Sequence, residues 1–113
     1  MKSFAQALDL KDDPALIAAY REHHRHVYPE VTAALRAAGI GRMKIFLLGT
    51  HLFMYFEAPD EFSPERDYMA YAADARCIAW ETLMRGLQQR VPEARPGDWW
   101  TPMELVFDLE AAP

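Results

Sequence analysis

Tyr20 and His24 are the residues of this sequence best placed to transfer protons. They lie four residues apart in a segment, residues 14–26, that is predicted to form an amphipathic helix. Because four residues make just over one helical turn, both side chains project from the same face. Leu16 and Ile17 share that face, which is therefore expected to point inward. A phenol and an imidazole on an inward face can act as an acid–base pair, since imidazole exchanges protons near neutral pH.

Three neighbouring histidines, His23, His24 and His26, suggest a metal site as an alternative. Helical geometry argues against it, because residues 23 and 24 diverge by about 100° around a helix axis. His23 and His26 could share a face, but two histidines need further ligands to hold a metal. The glycines form no phosphate-binding motif, which disfavours a nucleotide. We therefore expect no metal and no other cofactor.

The composition limits the partners of this chain. Its 113 residues, 51% of them hydrophobic, are enough for one domain spanning residues 1–113. The 17 acidic residues outnumber the 12 basic ones, so neither nucleic acid nor an anionic membrane is an expected partner. The sequence contains no run of 18 apolar residues, so no membrane span is predicted. Cys77 is the only cysteine, which excludes an intrachain disulfide and is typical of a cytoplasmic protein.

The elements that must position Tyr20 and His24 follow from hydrophobic periodicity and from helix-capping residues. Asp13 and Pro14 are typical of a helix start, and Gly39 is typical of a helix end. A break is expected near Asp74. The predicted elements are a strand over 4–10, helices over 14–26 and 29–38, strands over 42–48 and 51–57, helices over 67–76 and 77–90, and a strand over 99–109.

This β-α-β-β-α-β order predicts an α+β ferredoxin-like fold, in which a four-stranded antiparallel sheet carries the helices on one face. The two hairpin strands, 42–48 and 51–57, are apolar on both faces. A sheet that is apolar on both sides must be buried on both sides. Because so short a chain cannot cover both faces, we expect a homodimer that packs sheet against sheet.

Aromatic and acidic residues supply further candidates for a binding site. Trp80 falls within a predicted helix, and tryptophan can pack in a core or stack on a sugar ring. Trp99 and Trp100 must face opposite sides of a strand, so only one of them can line a given pocket. Most acids are expected on the surface, but Glu104 interrupts an otherwise apolar strand.

The segment Tyr20-Arg-Glu-His-His24-Arg-His-Val-Tyr28-Pro-Glu-Val resembles the Y-x-x-x-H-x-x-x-W-P-E motif of the L-rhamnose mutarotase family. The resemblance continues to the final Glu-Leu-Val-Phe-Asp-Leu. It implies a dimeric ferredoxin-like α/β barrel that interconverts the α and β anomers of a 6-deoxy sugar without a cofactor. His24 then matches the family's catalytic histidine and Tyr20 its helix tyrosine. The candidates for binding the monosaccharide are Trp80, Trp99, Glu104 and Tyr28.

Two departures from the family pattern predict a sugar other than L-rhamnose. A tyrosine of the rhamnose enzymes falls at Met43, and the second residue of their Trp-Trp pair falls at Glu81. Losing a hydrogen-bond partner for a substrate hydroxyl can change specificity strongly. The ending around Trp99-Trp100 resembles G-x-W-W-x-x-M-E-x-V-F of L-fucose mutarotases, so L-fucose is the expected substrate. The alternatives are an L-rhamnose mutarotase, a cofactor-free monooxygenase of the dimeric ferredoxin-like type, and a non-catalytic small-molecule-binding dimer.

Overall fold

The structure is a computed structural model that describes residues 1–112. The order of helices and strands along the chain is close to the one that the sequence predicts. They are β1 (Lys2–Leu10), α1 (Pro14–His23), α2 (Pro29–Ala37), β2 (Arg42–Leu48), β3 (His51–Ala58), α3 (Pro64–Asp67), α4 (Met69–Ala73), α5 (Ala75–Arg85), β4 (Gln88–Gln89), β5 (Thr101–Pro102) and a 3₁₀ turn, Leu109–Ala111. In this part of the chain, no helix has the length and hydrophobicity needed to span a membrane.

The strands form one antiparallel sheet in the order β2-β3-β1-β4, and β5 also pairs with β1. β3 occupies one edge of β1, so β4 and β5 share the other edge. The order is that of a ferredoxin-like sheet, as the sequence predicts. The hairpin turns at Gly49-Thr50, where Gly49 has a φ of 62°. A glycine with positive φ at the first turn position is typical of a tight type II′ hairpin.

The helix that carries the proposed acid–base pair is shorter than predicted. Asp13 caps α1 by accepting hydrogen bonds from the backbone N–H groups of Ala15 and Leu16. α1 ends at His23 and not near residue 26, and His24 is its C-cap. Tyr20 and His24 still share the inward face, because their four-residue spacing covers the last helical turn.

Two predictions for the C-terminal half are wrong in extent. The break at Asp74 is present, and its carboxylate caps α5, but the helix ends at Arg85 and does not continue to residue 90. Gly86 follows as the C-cap, and Gln88 then pairs with β1. The predicted strand over 99–109 is reduced to Thr101–Pro102, because the backbone beyond Met103 finds no strand partner within residues 1–112.

The two faces of the sheet differ in what covers them. Inward side chains of β1 and β3, such as Leu8 and Leu52, are buried beneath the helices. The outward side chains of β2 are exposed: Phe46 is 54% exposed and Leu48 is 79% exposed. The helices therefore enclose a cavity on the inner face, while an apolar outer face lies open, as the pattern of the hairpin predicts.

Candidate active site

A cavity of about 1330 Å³ lies between the inner face of the sheet and the helices. It exceeds the roughly 300–1,000 Å³ typical of small-molecule pockets, so a monosaccharide would fill only part of it. Its walls are mainly apolar, with a few converging polar groups, as is usual for a binding site. The polar and aromatic lining residues used below are Tyr20, His24, Tyr71, Trp80, Glu81, Gln88 and Trp100.

His24 is held in one tautomer by the end of α1. Its Nδ1 lies 2.9 Å from the carbonyl oxygen of Tyr20, which can only accept a hydrogen bond, so Nδ1 carries the proton. Nε2 is consequently left with a free lone pair. Burial lowers the pKa of His24 below its usual 6.5, although the contact with the Tyr20 carbonyl opposes this shift. The side chain is therefore a neutral imidazole at pH 7, ready to accept a proton at Nε2.

Tyr20 lies beside His24 and stays protonated. The two rings have centroids 4.3 Å apart and are tilted by 38°. Tyr20 is 5% exposed, and burial raises the pKa of its phenol to about 12, while a hydrogen bond from Gln88 opposes the rise. The phenol can donate a hydrogen bond throughout the neutral pH range. His24 and Tyr20, which we call the α1 wall, thus combine a base and a weak acid.

Trp80 and Tyr28 support the α1 wall from α5 and from the start of α2. The Trp80 ring meets His24 edge to face, with centroids 5.3 Å apart, and meets Tyr28 in the same way at 5.1 Å. Such aromatic contacts restrict the orientation of the imidazole. Trp80 lines the cavity, whereas Tyr28 lies behind Trp80 and carries the Arg76 guanidinium over its ring at 4.0 Å.

The lining of the cavity also contains a pair that the sequence analysis missed. Tyr71 on α4 donates a hydrogen bond to Glu81 on α5, with 2.5 Å between the phenol oxygen and Oε1. Burial, followed by the hydrogen bond to Glu81, raises the pKa of Tyr71. We call these residues the α4–α5 wall. The ten-residue separation crosses the break at Asp74, so helical periodicity alone could not have paired them.

Trp99 and Glu104 lie outside the cavity, although the sequence analysis suggested both for sugar binding. Trp100 lines the cavity instead of Trp99. The indole N–H of Trp99 donates to Oε1 of the buried Gln88 at 2.8 Å. Because Oε1 is occupied, the Gln88 amide group is left to donate to Tyr20. Glu104 is exposed in the segment after β5, because that segment leaves the sheet.

The neighbouring histidines do not converge. His26 is exposed and pairs with Glu22, with 3.3 Å between Nε2 and Oε1. His23 is outside the cavity lining, and only His24 faces the cavity. Among residues 1–112, no group of three or more His, Cys, Asp or Glu side chains is arranged to hold a metal ion.

Comparisons with known proteins identify the family. A family model described as L-rhamnose mutarotase matches residues 3–109. A UPF0734 protein of Dictyostelium discoideum is 50% identical over 113 residues, covering 96% of this chain and 90% of the relative. An L-fucose mutarotase of Xanthomonas campestris is 39% identical over 114 residues, covering 99% of this chain and 91% of the relative.

Solved structures agree with the ferredoxin-like fold. The crystal structure of an L-rhamnose mutarotase from Formosa agariphila superposes with a TM-score of 0.71 at 21% identity, covering 96% of this chain and 99% of that one. A dimeric ferredoxin-like protein from an uncultured marine organism superposes with a TM-score of 0.51 at 14% identity, covering 96% of this chain and 93% of that one.

The family match over 107 residues and the relative named as an L-fucose mutarotase support a carbohydrate isomerase over the monooxygenase and non-catalytic alternatives. The chain belongs to the L-rhamnose mutarotase family.

Proposed function

We propose that this chain is an L-fucose mutarotase that uses His24 as its acid–base group. The observation that carries the proposal is the neutral His24, whose Nδ1 is tied to the Tyr20 carbonyl and whose Nε2 is free beside the cavity. The 39% identity to the Xanthomonas campestris L-fucose mutarotase over nearly the whole chain supports the choice of sugar.

The reaction needs one base and one acid. Nε2 of His24 accepts the proton of the anomeric hydroxyl, while a donor protonates the ring oxygen and the bond from C1 to that oxygen breaks. The product is an open-chain aldehyde, and rotation about the C1–C2 bond turns its other face toward the newly formed hydroxyl. Reclosure reverses both proton transfers and yields the other anomer. No atom or electron is gained or lost, so two positioned acid–base groups are sufficient.

Tyr20 is the proposed donor to the ring oxygen. Its phenol remains protonated because its pKa is about 12, and it adjoins the imidazole that takes up the other proton. Gln88, held by Trp99, hydrogen-bonds the phenol oxygen and so helps the phenol to release a proton. Trp80 fixes the imidazole and forms part of the cavity wall; only a small part of its ring surface is open to a sugar, since it is 5% exposed.

The α4–α5 wall is proposed to select the sugar. L-Fucose and L-rhamnose are both 6-deoxy-L-hexoses, and they differ in the orientation of the hydroxyls at C2 and C4. Glu81 can accept hydrogen bonds from sugar hydroxyls, and Tyr71 holds one of its oxygens in place. Met43 also lines the cavity and offers no such hydrogen bond. A pocket with this polar pattern should therefore discriminate between the two sugars.

L-Rhamnose is the second candidate substrate. The matching family model is described by that sugar, and so is the Formosa agariphila enzyme with the related fold. That enzyme is only 21% identical to this chain, so its likeness supports the fold and not the sugar.

The proposed enzyme is a homodimer of the cytoplasm. The exposed Phe46 and Leu48 on the outer sheet face and the fold shared with a dimeric ferredoxin-like protein support two copies packed sheet to sheet. The single free thiol, Cys77, is buried and suits a reducing compartment.

Anomer exchange measured by NMR tests the proposed reaction and its sugar. Selective inversion of the α-anomer proton, followed by transfer to the β anomer, gives the exchange rate at equal enzyme concentration for L-fucose and L-rhamnose. We expect acceleration of both above the buffer rate and faster exchange of L-fucose.

Two results would contradict the proposal at different levels. Equal or faster exchange of L-rhamnose would replace the proposed sugar while keeping the reaction. No acceleration of either sugar by a folded protein would overturn the mutarotase activity itself.

A further inference from the structure

The lining of the cavity carries a charge opposite in sign to that of the whole chain. The chain has 17 acidic and 12 basic residues and a net charge of -5. Among residues 1–112, Glu81 is the one acidic residue that lines the cavity, whereas five of the 12 basic residues line it. Because charges of one sign in a cleft focus the electric field, the cavity should attract anions. The five basic residues are Arg21, Arg25, Arg36, Arg42 and Arg85.

Three of the five arginines lack a carboxylate partner. Arg25 forms an ion pair with a carboxylate of α1 at 2.8 Å, and Arg42 forms one with a carboxylate of β3 at 3.6 Å. Within residues 1–112, no ion pair of Arg21, Arg36 or Arg85 is present. Arg21 and Arg25 also lie four residues apart on α1, a spacing at which like charges repel each other. These positive charges are therefore left for a ligand to neutralise.

Arg85 is held near the α1 wall, although it lies on α5. Its guanidinium carbon lies over the ring of Trp99, 4.7 Å from the ring centroid. Trp99 hydrogen-bonds Gln88, and Gln88 in turn hydrogen-bonds Tyr20. Arg21 directly follows Tyr20 in the chain. Two unpaired guanidinium groups, from two helices, therefore belong to the surroundings of Tyr20.

The mutarotation reaction gives these guanidinium groups no task. The aldose and its open-chain aldehyde are both uncharged, and a monosaccharide fills only part of the cavity of about 1330 Å³. A guanidinium group presents a planar set of N–H donors that matches the oxygens of a carboxylate or a phosphate. The unused volume and the unpaired charges together favour a ligand that is larger than the aldose and anionic.

We propose that the cavity binds a monosaccharide that carries an anionic group, a phosphate or a carboxylate, on C1. The inference rests on the proposed function, in which C1 of the sugar lies beside His24 and Tyr20. An anionic group on C1 then lies on the side of the cavity to which Arg21 and Arg85 belong. The charge of Glu81 opposes this binding but is outnumbered by the charges of the arginines. Because neither a 1-phosphate nor a C1 acid can mutarotate, such a ligand competes with the aldose and inhibits anomer exchange.

Calorimetric titration with matched ligands provides the first test. L-Fucose 1-phosphate is compared with the methyl glycoside of the same anomer, which has the same ring without the charge. The acid formed by oxidation of L-fucose at C1 is compared with the corresponding alditol, which is also open-chain but neutral. At low ionic strength we expect at least one anionic ligand to bind about tenfold or more tightly than its neutral counterpart, because charge-assisted hydrogen bonds are the stronger ones. The pair that shows this preference identifies phosphate or carboxylate as the preferred group.

Removal of the two guanidinium groups near Tyr20 provides the second test. Arg21→Gln/Arg85→Gln should weaken binding of the preferred anionic ligand about tenfold or more. Lys2→Gln/Arg66→Gln is the matched control, because it removes the same charge from exposed residues outside the cavity lining. This control should bind the anionic ligand as tightly as the wild type does. Circular dichroism checks that both double variants are folded.

Three results would overturn the anion site. The first is equal affinity for the anionic and the neutral ligand in both pairs. The second is an equal loss of affinity in the two double variants, which would reflect the net charge and not a site. The third is inorganic phosphate that binds as tightly as L-fucose 1-phosphate, because the sugar would then make no contribution.

Calorimetry and anomer exchange separate this inference from the proposed function. A protein that prefers the anionic ligands but does not accelerate anomer exchange would keep the anion site and overturn the mutarotase activity. Accelerated anomer exchange without a preference for the anionic ligands would overturn the anion site alone.

Discussion

The two walls of the cavity are built differently. In the α1 wall, His24 is fixed by a backbone carbonyl and by aromatic rings, and both His24 and Tyr20 are uncharged at neutral pH. In the α4–α5 wall, a carboxyl group and a phenol hold each other across a helix break. The α1 wall thus suits proton transfer, which is common to every aldose. The α4–α5 wall suits recognition of hydroxyls, which differ from sugar to sugar.

Replacing His24 should have the largest effect and should be independent of the sugar. His24→Asn removes the group that accepts the proton, and general acid–base catalysis contributes about 10²–10⁴-fold. We expect at least a 100-fold loss of anomer exchange for L-fucose and L-rhamnose alike, measured by selective-inversion NMR.

His23→Asn and His26→Asn are the matched controls, because neither residue lines the cavity. They should retain near wild-type rates. Similar losses in all three folded variants would show that His24 has no special role. Circular dichroism must accompany the rates, since His24 is also part of the aromatic packing.

Replacing Glu81 should have a smaller effect that depends on the sugar. Glu81→Gln keeps the size of the side chain but removes its charge, and hydrogen bonds to charged groups are worth about 1.5–3 kcal/mol. We expect kcat/KM for L-fucose to fall about tenfold or more, with a smaller loss for L-rhamnose. An equal loss for both sugars would assign Glu81 to catalysis or folding and remove the distinction between the walls.

The sequence predicted the α1 wall and the inner architecture because both depend on local rules. The four-residue spacing of Tyr20 and His24, the Asp13 cap and the Gly49 turn each act within a few residues. Features formed by residues so close in the sequence are little altered by tertiary packing. The sequence also predicted an apolar outer face from the alternation along β2, and Phe46 and Leu48 are indeed exposed there.

The remaining features depend on tertiary contacts that the sequence does not display. Pairing with β1 takes Gln88 out of the predicted helix and brings it to Tyr20. Which tryptophan faces the cavity depends on how the chain enters β5, and it is Trp100. Glu104 was expected in a paired strand, but the described chain supplies no partner for that strand. The Tyr71–Glu81 hydrogen bond depends on the angle between α4 and α5, which the sequence does not reveal.

The pH dependence of kcat/KM tests whether His24 in the α1 wall acts as a buried neutral base. Tyr20, Trp80 and the neighbouring His23 surround the imidazole, and burial lowers the pKa of His24 below 6.5. The rate depends on neutral His24, so the acidic limb of kcat/KM should have its midpoint below pH 6.5 after subtraction of the buffer rate. A midpoint above pH 6.5 would contradict a buried neutral base.

The same lowered pKa affects stability. The unfolded chain takes up a proton at His24 near pH 6.5, whereas the folded chain takes it up only at lower pH. His24 therefore makes its full contribution to stability above pH 6.5. This contribution decreases as the pH falls from 6.5 through the lower pKa that His24 has in the folded chain. Urea unfolding at several pH values measures how the free energy of unfolding decreases below pH 6.5. This decrease should persist in His23→Asn and should become smaller in His24→Asn.

Replacing Trp99 should have the smallest effect on the α1 wall, because Trp99 acts only through Gln88. Trp99→Phe removes the indole N–H that occupies Oε1 of Gln88, and a neutral hydrogen bond is worth about 0.5–1.5 kcal/mol. We expect a loss of about threefold to tenfold in kcat with little change in KM, since Trp99 does not line the cavity. In a Gln88→Leu background the same substitution should have no further effect, because the interaction it removes is already absent. Additive losses in the double variant would show that Trp99 serves packing alone, and the orientation of the Gln88 amide would then have to be set by other contacts.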